Sequence, residues 1–386
     1  MANGRPTEST STLGDDNWLW AVVGSVVAAI VFVWCATTSW RLITRRPRLD
    51  GGLLRLALLH GEDRMTRAAS VLILSITLTG STQATNVLGQ GAQPYSVPSR
   101  AAERLQIDAD GHPLTVWVKR PVSARGSILL VHGRTLSALP NFDLKVEGYQ
   151  RSVMDRFVER GFAAYALDQR GYGATPRDSS GWLTPNRAAK DVAIVLSWVS
   201  AREGKSGGRP VLVGYSRGSQ TSLLTAQLYQ ESLSKLVLYG FGRDLDTRFP
   251  IDEVPAEPLR ERTTRALAAS DFVTPGAAPQ SVIDSYVRQA LAADPIRVDW
   301  RNEHEFNVTD PGTIRVPTLL IHGVADPLAT TDEQLKLFSR LGTADRSLVV
   351  LPYSDHAAHV EDVQPAWVDA IVTFIERPRV PVAMSR

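Results

Sequence analysis

The sequence predicts an α/β protein built on a mostly parallel, doubly wound sheet of about eight strands. A mainly helical lid is inserted into this core, and one or two transmembrane helices precede it. Three observations lead to this prediction. Short apolar runs alternate with helical patterns from about residue 103 onward, which is typical of strands joined by crossover helices. Residues 241–315 interrupt the alternation, and a long uncharged run lies near the start of the chain.

The composition is that of an ordinary globular protein. Hydrophobic residues make up 44% and charged residues 21% of the 386 positions, which excludes a disordered, collagen-like or coiled-coil chain. The 42 basic and 40 acidic residues give a net charge of +2. We therefore expect no nucleic-acid partner, since phosphate binding needs concentrated positive charge. The single cysteine, Cys35, excludes an intrachain disulfide framework and a thiolate-rich metal site.

A first transmembrane helix is predicted over residues 18–40, after a polar N-terminal tail of residues 1–17. The run from Trp18 to Trp40 has 23 residues and no charge. As a helix it would extend about 34 Å, against about 30 Å for the hydrocarbon core of a bilayer. It contains four of the nine tryptophans, mostly near its ends, where indole rings favour the membrane interface. A buried helix of a soluble domain would be shorter and less evenly apolar.

The basic loop that follows, residues 41–67, sets the expected orientation. It holds seven arginines against three acidic residues, Asp50, Glu62 and Asp63. The positive-inside rule therefore places this loop in the cytoplasm and the N-terminus outside.

The second apolar segment, residues 68–88, has three interpretations. Its apolar part, Ala68–Gly80, is short for a membrane span, but no charge follows before Arg100. It is a second transmembrane helix, or a signal-like core with a cleavage site near Thr82–Ala84, or it is not inserted. The first two place the rest of the chain on the non-cytoplasmic side, which we expect, and the third leaves it in the cytoplasm. A linker rich in Gly, Pro, Ser and Gln, residues 89–102, leads to the soluble part.

The soluble core is predicted in two parts, residues 103–240 and 316–378, with a tail of residues 379–386. Several of its strands are continuous apolar runs, as expected for parallel strands covered on both faces. The predicted strands are Leu105–Ile107, Thr115–Lys119, Ser127–His132, Ala163–Asp168, Pro210–Tyr215, Lys235–Tyr239, Thr318–His322 and Ser347–Leu351. The predicted helices are Gln150–Arg160, Asn186–Glu203, Ser219–Leu233, Thr331–Leu341 and Pro365–Ile375. Asn186 and Thr331 are candidate helix caps.

The interrupting stretch, residues 241–315, is interpreted as a mainly helical lid. It has no clear strand pattern and carries Pro, Asp, Glu and Arg among helical patches. Its aromatic residues, which should mostly form the core of the lid, are Phe241, Phe249, Phe272, Tyr286, Trp300 and Phe306.

The clearest catalytic signal is Gly214-Tyr215-Ser216-Arg217-Gly218, between an apolar strand and a helix-like stretch. Gly-x-Ser-x-Gly in this setting is typical of a nucleophile elbow, in which a tight turn raises the serine hydroxyl above the sheet edge. Only glycine fits two residues before and two residues after the serine. Ser216 is therefore the predicted nucleophile.

A serine nucleophile needs a histidine base and an acid that orients the base. In a doubly wound sheet these residues follow the carboxyl ends of later strands. Asp326 comes after the predicted strand that ends at His322. His356 comes after the predicted strand that ends at Leu351. The order Ser216, Asp326, His356 along the chain is the order expected of such a triad.

Negative charge on the attacked carbonyl oxygen requires hydrogen-bond donors. We assign these to the backbone N–H groups of Arg217, directly after the nucleophile, and of Arg134, in the loop after Ser127–His132. Arginine side chains are unusual at both positions. They either hold an anionic part of the substrate or pair with nearby acids such as Asp143 or Asp168.

These motifs resemble those of the α/β-hydrolase fold family, of the broad bacterial esterase and lipase-like type with a lid, over roughly residues 103–378. The resemblance rests on His132-Gly133, Asp168–Gly173, Gly214–Gly218, Asp326-Pro327 and His356. The sequence departs from the family in having Asp355 where a glycine usually precedes the histidine, and Ser219 where many lipases have a second glycine. It also lacks the His-Gly-Gly-Gly motif of one lipase branch. These departures leave the subfamily open.

The resemblance implies a serine hydrolase that cleaves a carboxylic ester of a small-molecule acyl substrate through an acyl-enzyme, without a cofactor or metal. Its N-terminal helices would anchor it in the lipid bilayer, and some aromatic residues of the lid should line an apolar acyl pocket. Acyl transfer, thioester hydrolysis and peptide hydrolysis on the same triad are alternatives. A membrane-tethered binding module without catalysis is an alternative of another class, and the sequence does not identify protein partners.

Other residues compete for the triad roles. Asp244 and Asp246 follow an earlier strand, at a place where some family members carry the acid. His359 lies one helical turn after His356 and is an alternative base. A metal site at His356, His359 and Glu361 is not expected, because no further ligand cluster supports it.

Overall fold

The computed structural model describes residues 101–251, 255 and 257–378. In that part of the chain, no helix is both long and apolar enough to cross a membrane. The predicted membrane segments at 18–40 and 68–88, together with the basic loop between them, lie outside the described residues.

The eight predicted strands are all present and join one sheet. The strands in chain order are β1 (Glu103–Ala109), β2 (His112–Lys119), β3 (Ser127–Val131), β4 (Leu144–Val146), β5 (Tyr149–Arg151), β6 (Ala163–Asp168), β7 (Trp182–Leu183), β8 (Val211–Tyr215), β9 (Lys235–Tyr239), β10 (Asp299–Trp300), β11 (Thr318–Gly323) and β12 (Arg346–Leu351). The spatial order of the main sheet is β1-β2-β6-β3-β8-β9-β11-β12. β2 runs antiparallel to β1 and β6, and every other neighbouring pair is parallel. The prediction of a mostly parallel sheet of about eight strands is confirmed.

Helices connect these strands. They are α1 (Ala138–Phe142), α2 (Val153–Glu159), α3 (Pro185–Gly207), α4 (Arg217–Leu228), α5 (Arg265–Ala268), α6 (Gln280–Ala293), α7 (Thr331–Arg340) and α8 (Gln364–Glu376). Short 3₁₀ helices cover Gln230–Ser232, Glu303–Val308 and Pro311–Thr313.

Two helix caps differ from the prediction. Thr184, not Asn186, caps α3, because Pro185 occupies the first turn, where its missing N–H costs nothing. Thr330, not Thr331, caps α7, because its side chain and that of Glu333 form a reciprocal capping box.

Two apolar layers cover the two faces of the sheet. Alternate residues of β3 point into different layers, Leu129 into one and Leu130 into the other. Helices α3, α4 and α7 contribute to the first layer. Helices α1, α2 and α8 contribute to the second, where Trp367 of α8 packs near Phe157 of α2. The central strands β3, β8 and β9 are buried along their whole length, as their continuous apolar runs predict.

The predicted lid, residues 241–315, contains α5, α6, β10 and two of the 3₁₀ helices. Val282 and Tyr286 of α6 pack in one cluster with Leu136 and Leu144, which follow β3. The two-residue strand β10 pairs in parallel with β7. Neither β7 nor β10 is predicted from the sequence, because two residues are too few to show an alternation.

Candidate active site

Ser216 lies at a strained turn between β8 and α4. Its backbone has a φ of 54° and a ψ of −122°, in a region that residues with a side chain rarely adopt. Its N–H donates to the carbonyl of Tyr239 at 2.9 Å, and the Ser219 hydroxyl donates to the Ser216 carbonyl at 2.5 Å. The turn is therefore held from β9 on one side and from α4 on the other.

Gly214 and Gly218 make this turn sterically possible. A Cβ atom on Gly214 would collide with the carbonyl oxygen of Gly218. A Cβ atom on Gly218 would collide with the carbonyl oxygens of Val131 and His132 at the end of β3. Backbone atoms of a central sheet cannot move aside, so both positions require glycine, as the motif predicts.

The structure brings Asp326 and His356 together from the ends of β11 and β12. His356 Nδ1 lies 2.7 Å from Asp326 Oδ2, and both side chains are buried. The other carboxylate oxygen, Oδ1, accepts from the N–H groups of Leu328 at 2.8 Å and Ala329 at 3.1 Å. These two amides fix the carboxylate, and the carboxylate fixes the imidazole.

The pKa of His356 is shifted in the opposite direction from the pKa values of His132 and His359. Burial lowers the pKa of His132 to about 4 and, helped by the neighbouring His356, lowers the pKa of His359 to about 3. Burial also opposes protonation of His356, but the hydrogen bond and negative charge of Asp326 outweigh it and raise the pKa of His356. Within the described part of the chain, His356 Nε2 has no hydrogen-bond partner.

Gly240 provides the space for this pair, and sequence reasoning did not identify it. Its φ is +58°, and a Cβ atom there would lie 3.0 Å from His356 Cε1 and 3.5 Å from Asp326 Oδ2. The sequence signal that could have identified Gly240 is its position directly after the apolar strand β9, which is the neighbour of β8 and Ser216.

A cavity of about 300 Å³ lies beside Ser216 and His356. Polar side chains, among them Arg134, Gln220 and Asp271, form much of its wall, beside a few larger apolar ones such as Leu136, Leu328 and Tyr286. Tyr286 is the one aromatic lid residue of the predicted set that lines this cavity. The other aromatic residues of the set pack in apolar clusters, as expected for residues that mostly form the core of the lid.

The loop after β3 runs directly beside the nucleophile. A Cβ atom on Gly133 would lie 3.1 Å from Ser216 Cβ. The carbonyl of Arg134 accepts a hydrogen bond from the Tyr172 hydroxyl, and this hydroxyl accepts from Trp300 Nε1 at 2.9 Å. Arg134 and Arg217, the two residues predicted to supply oxyanion donors, both line the cavity with Ser216.

The side chains of Arg134 and Arg217 share one carboxylate, that of Glu303 in the lid. Arg134 Nη2 lies 2.8 Å from Glu303 Oε1, and Arg217 Nη2 lies 2.8 Å from Glu303 Oε2. Of the two interpretations of these arginine side chains, the structure shows the one in which they pair with an acid. The acids named as candidate partners, Asp143 and Asp168, are wrong. Asp143 pairs with two lysines, and Asp168 accepts from an indole and two backbone amides. Glu303 could not be predicted, because the lid brings it from a distant part of the sequence.

The competing acids Asp244 and Asp246 lie away from the histidine. Asp244 pairs with Lys336 at 3.3 Å, and Asp246 pairs with Arg340 at 2.6 Å. All four side chains are at least 32% exposed, whereas His356 is buried against Asp326. Neither rival is placed to orient the base.

His359, the alternative base, is fully buried and does not line the cavity beside Ser216. Its Nε2 lies 3.3 Å from Asn141 Oδ1 and its Nδ1 lies 3.4 Å from the Tyr239 hydroxyl. Its ring packs on Tyr215 with centroids 4.4 Å apart. Because both ring nitrogens have polar partners, we interpret His359 as a packing residue.

Asp355, which stands where the family usually has a glycine, connects the loop that carries His356 to the lid. Its Oδ2 accepts from the N–H groups of Val273 at 2.7 Å and Thr274 at 2.5 Å. Its own N–H donates to Glu361 Oε2 at 3.3 Å. Burial, and then the neighbouring Asp355, raise the pKa of Glu361 to about 9.

Asp271 is a further polar residue of the cavity that sequence reasoning did not identify. Its Oδ2 accepts from the Tyr215 hydroxyl at 2.8 Å, so a carboxylate from the lid lies on the cavity wall. Among the residues that the structure describes, no cluster of three or more His, Cys, Asp or Glu side chains could hold a metal ion.

The sequence matches one protein family across this site. The profile of the family described as serine aminopeptidase, S33, matches residues 123–363, which is more than half of the chain. Among characterised proteins, 2-(acetamidomethylene)succinate hydrolase of Mesorhizobium japonicum is 25% identical over 251 residues. The match spans 58% of this chain and 82% of that enzyme.

Solved structures share the fold. A serine hydrolase involved in carbazole degradation superposes with a TM-score of 0.51 at 18% identity, over 71% of this chain and 99% of that one. A thermophilic esterase from Thermogutta terrifontis, solved with malate bound, gives 0.53 at 19% identity, over 71% and 98%. A hydrolase from Pseudomonas aeruginosa gives 0.52 at 20% identity, over 72% and 98%. At such identities the likeness shows the fold, which is the α/β-hydrolase fold that the motifs predict.

Proposed function

Because this chain belongs to the serine aminopeptidase S33 family of hydrolases, we propose that it is a membrane-anchored serine hydrolase that cleaves a carboxylic ester, or a related acyl bond, of a small substrate. One observation carries the proposal. The strained Ser216 and the His356 that is held by Asp326 line the same cavity.

In the proposed reaction, Ser216 Oγ attacks the acyl carbon of the substrate while His356 Nε2 accepts the hydroxyl proton. Asp326 accepts from His356 Nδ1–H, so the lone pair stays on Nε2, and its charge stabilises the imidazolium that forms. His356 Nε2 is free of other partners in the described residues, which supports this role. Serine–histidine hydrogen bonds often shorten only when substrate binds.

The oxygen of the attacked carbonyl becomes negatively charged, and the backbone N–H groups of Arg134 and Arg217 would donate to it. His356 then returns its proton to the leaving group, which departs and leaves the acyl group on Ser216. A water molecule, deprotonated by His356, attacks the acyl carbon, releases the acid and restores the serine hydroxyl. These steps use no cofactor.

The size and polarity of the cavity favour a small, polar substrate. Its volume of about 300 Å³ is at the small end for a ligand pocket, and its wall combines polar and apolar side chains in similar measure, which suits a short acyl group that carries a polar substituent. The characterised relative from Mesorhizobium japonicum hydrolyses 2-(acetamidomethylene)succinate, a small molecule, which supports the same class here.

Peptide hydrolysis is the second candidate function. Asp271 places a carboxylate on the cavity wall, where it could accept hydrogen bonds from the ammonium group of an amino-terminal residue. Aminoacyl 4-nitroanilides with a free amine, compared with the same compounds N-acetylated, distinguish this activity from simple ester hydrolysis. Preference for the free amine, lost in Asp271→Asn, would favour the peptidase.

The test uses the full-length protein in detergent and 4-nitrophenyl esters of increasing acyl length. We expect turnover to be greatest for short acyl groups. Ser216→Ala should lower turnover on the order of 10⁶-fold. The control Ser197→Ala, which removes an exposed hydroxyl on α3, should leave it unchanged. A loss below tenfold in Ser216→Ala would refute the triad. A folded protein that processes no acyl substrate, with or without an added alcohol acceptor, would favour the non-catalytic binding module.

The membrane anchor in the proposal is supported by the uncharged run 18–40 and the arginine-rich loop 41–67. We expect the protein to stay in the membrane fraction after carbonate extraction. We also expect protease to digest the catalytic domain only when it reaches the non-cytoplasmic side. Release by carbonate would contradict the anchor, and protection on that side would reverse the orientation.

A further inference from the structure

We propose that the substrate carries a carboxylate a few bonds from its scissile acyl group, and that the Arg134 side chain binds this carboxylate, with Glu303 as the competing internal anion. The inference rests on the proposed function and names the substrate class of the same site. It is carried by two guanidinium groups that line the cavity with Ser216, those of Arg134 and Arg217, and that share a single carboxylate, Glu303.

The Arg134 guanidinium has N–H donors available for a ligand. Its side chain is 40% exposed, and its Nη2 pairs with Glu303. In the described part of the chain, its Nε and Nη1 have no hydrogen-bond partner, so several of its five N–H donors remain available. A carboxylate binds such a fork through two parallel hydrogen bonds.

Two further arginines, Arg217 and Arg243, add positive charge to this region. Arg217 is buried, donates to Gln220 at 3.0 Å and shares Glu303 with Arg134. Arg243 is buried next to Arg217, and the guanidinium groups of both lie over the ring of Phe249, at 5.1 Å and 5.5 Å. Arg243 is bound by a carbonyl and an amide oxygen, not by an anion.

Arg134 and Arg217 thus share one carboxylate, and Arg243, beside the same Phe249 ring as Arg217, adds a positive charge that has no acidic partner among the described residues. Uncompensated charge away from water is costly, and an anionic ligand reduces that cost. The burial of Arg243, and then the nearby charge of Arg217, lower the pKa of Arg243 to about 10, in keeping with the local excess.

The geometry also sets the direction in which the substrate carboxylate lies. Arg134 lines the catalytic cavity and a second cavity of about 350 Å³, whose wall includes Trp182, Trp300 and Glu303. Asp271 lies on the wall of the catalytic cavity and would repel a carboxylate there. The second cavity also carries Glu261 and Asp299 on its wall, so its interior disfavours a carboxylate as well. The anionic end therefore points toward the Arg134 guanidinium itself, where the two cavities meet, and away from Asp271.

The experiment compares two esters of nearly the same shape, mono-4-nitrophenyl succinate and 4-nitrophenyl 4-methylpentanoate. The acyl group of the first ends in a carboxylate, and that of the second ends in a branched alkyl group of similar size. The readout is the ratio of their kcat/KM values, measured on the full-length protein in detergent. A charge-assisted hydrogen bond corresponds to about tenfold to a hundredfold, so we expect the parent to favour the succinate ester by at least about tenfold.

Two variants should move this ratio in opposite directions. Arg134→Gln should lower it at least about tenfold, whereas Glu303→Gln, which frees Arg134 from its partner, should raise it. Arg134→Lys retains a positive charge and should keep part of the preference. The control Arg187→Gln removes an arginine that is also 40% exposed and also paired with a carboxylate, Asp110, and should leave the ratio unchanged.

Opposite changes in Arg134→Gln and Glu303→Gln cannot come from a general loss of structure. A parent that processes both esters equally, or an unchanged ratio in Arg134→Gln, would overturn this inference and leave the proposed hydrolase intact. Absence of Ser216-dependent turnover of either ester would overturn the proposed function as well.

Discussion

Replacing Asp326 by asparagine should stop His356 from acting as a base, and the surrounding hydrogen bonds explain why. Asp326 Oδ1 accepts from two backbone N–H groups, those of Leu328 and Ala329, so the oxygen of the new amide should stay on that side. Its NH₂ group would then face His356 Nδ1, which lies 2.7 Å from Oδ2 in the parent. An NH₂ donor forces Nδ1 to become an acceptor and moves the imidazole proton to Nε2, where the lone pair is needed.

The expected magnitude has two parts. With the wrong tautomer, kcat should fall on the order of 10⁴-fold. The pKa of His356 should fall as well, because Asp326 is the main group that offsets its burial, ahead of the more weakly acting Asp271 and Asp355. The equally buried His132, without a carboxylate partner, has a pKa of about 4. In the parent, the raised pKa of His356 means that kcat/KM falls as the pH is lowered through a value above that of ordinary histidine. In Asp326→Asn this acidic limb should move to lower pH.

The assay is the pH profile of kcat/KM for a short 4-nitrophenyl ester, with melting temperature as the check on folding. Asp244→Asn is the matched control, because Asp244 follows the neighbouring strand but pairs with Lys336 on the surface. It should leave the rate and the profile unchanged. A loss below tenfold in Asp326→Asn, or an acidic limb that does not move, would refute the reasoning.

Two stability predictions follow from the same region. Gly218→Ala places a methyl group against the carbonyl oxygens of Val131 and His132 and should lower the free energy of unfolding by about 1–3 kcal/mol in urea titrations. Gly126→Ala, where a Cβ atom meets ordinary contacts at 3.4 Å, is the control, and equal effects would contradict the steric argument. Burial and Asp355 raise the pKa of Glu361 to about 9, so the folded state binds a proton that the unfolded state has lost between the two pKa values. Stability should therefore fall as the pH rises toward 9. Glu361→Gln should reduce this fall in melting temperature, and an identical fall in both proteins would count against a protonated Glu361.

The sheet and the common location of Ser216, Asp326 and His356 were predictable because their signals are local. β3, β8 and β11 are buried apolar runs, and such runs identify central parallel strands without reference to the rest of the chain. Ser216 has its own glycine pattern. Asp326 and His356 each follow one of the later strands, so topology alone places them at the same edge of the sheet.

The side chains that surround the cavity were not predictable in the same way. Glu303 and Asp271 come from the lid, where no periodic pattern indicates which side chains face the sheet. Gly240 acts through the space it leaves for His356, which a sequence does not display. The aromatic residues of the lid were expected mostly to form its core, but the sequence did not show that Phe249, Trp300 and Phe306 surround the Arg217 guanidinium.

The most direct test of the central claim is covalent labelling of the full-length protein with a fluorophosphonate, followed by peptide mass analysis. Such a reagent reacts with a serine only when a base activates the hydroxyl. We predict one adduct, on Ser216, which is absent from Ser216→Ala and forms much more slowly in Asp326→Asn. An adduct on another serine, or equal labelling of the parent and Ser216→Ala, would contradict the assignment of Ser216, Asp326 and His356 as the catalytic triad.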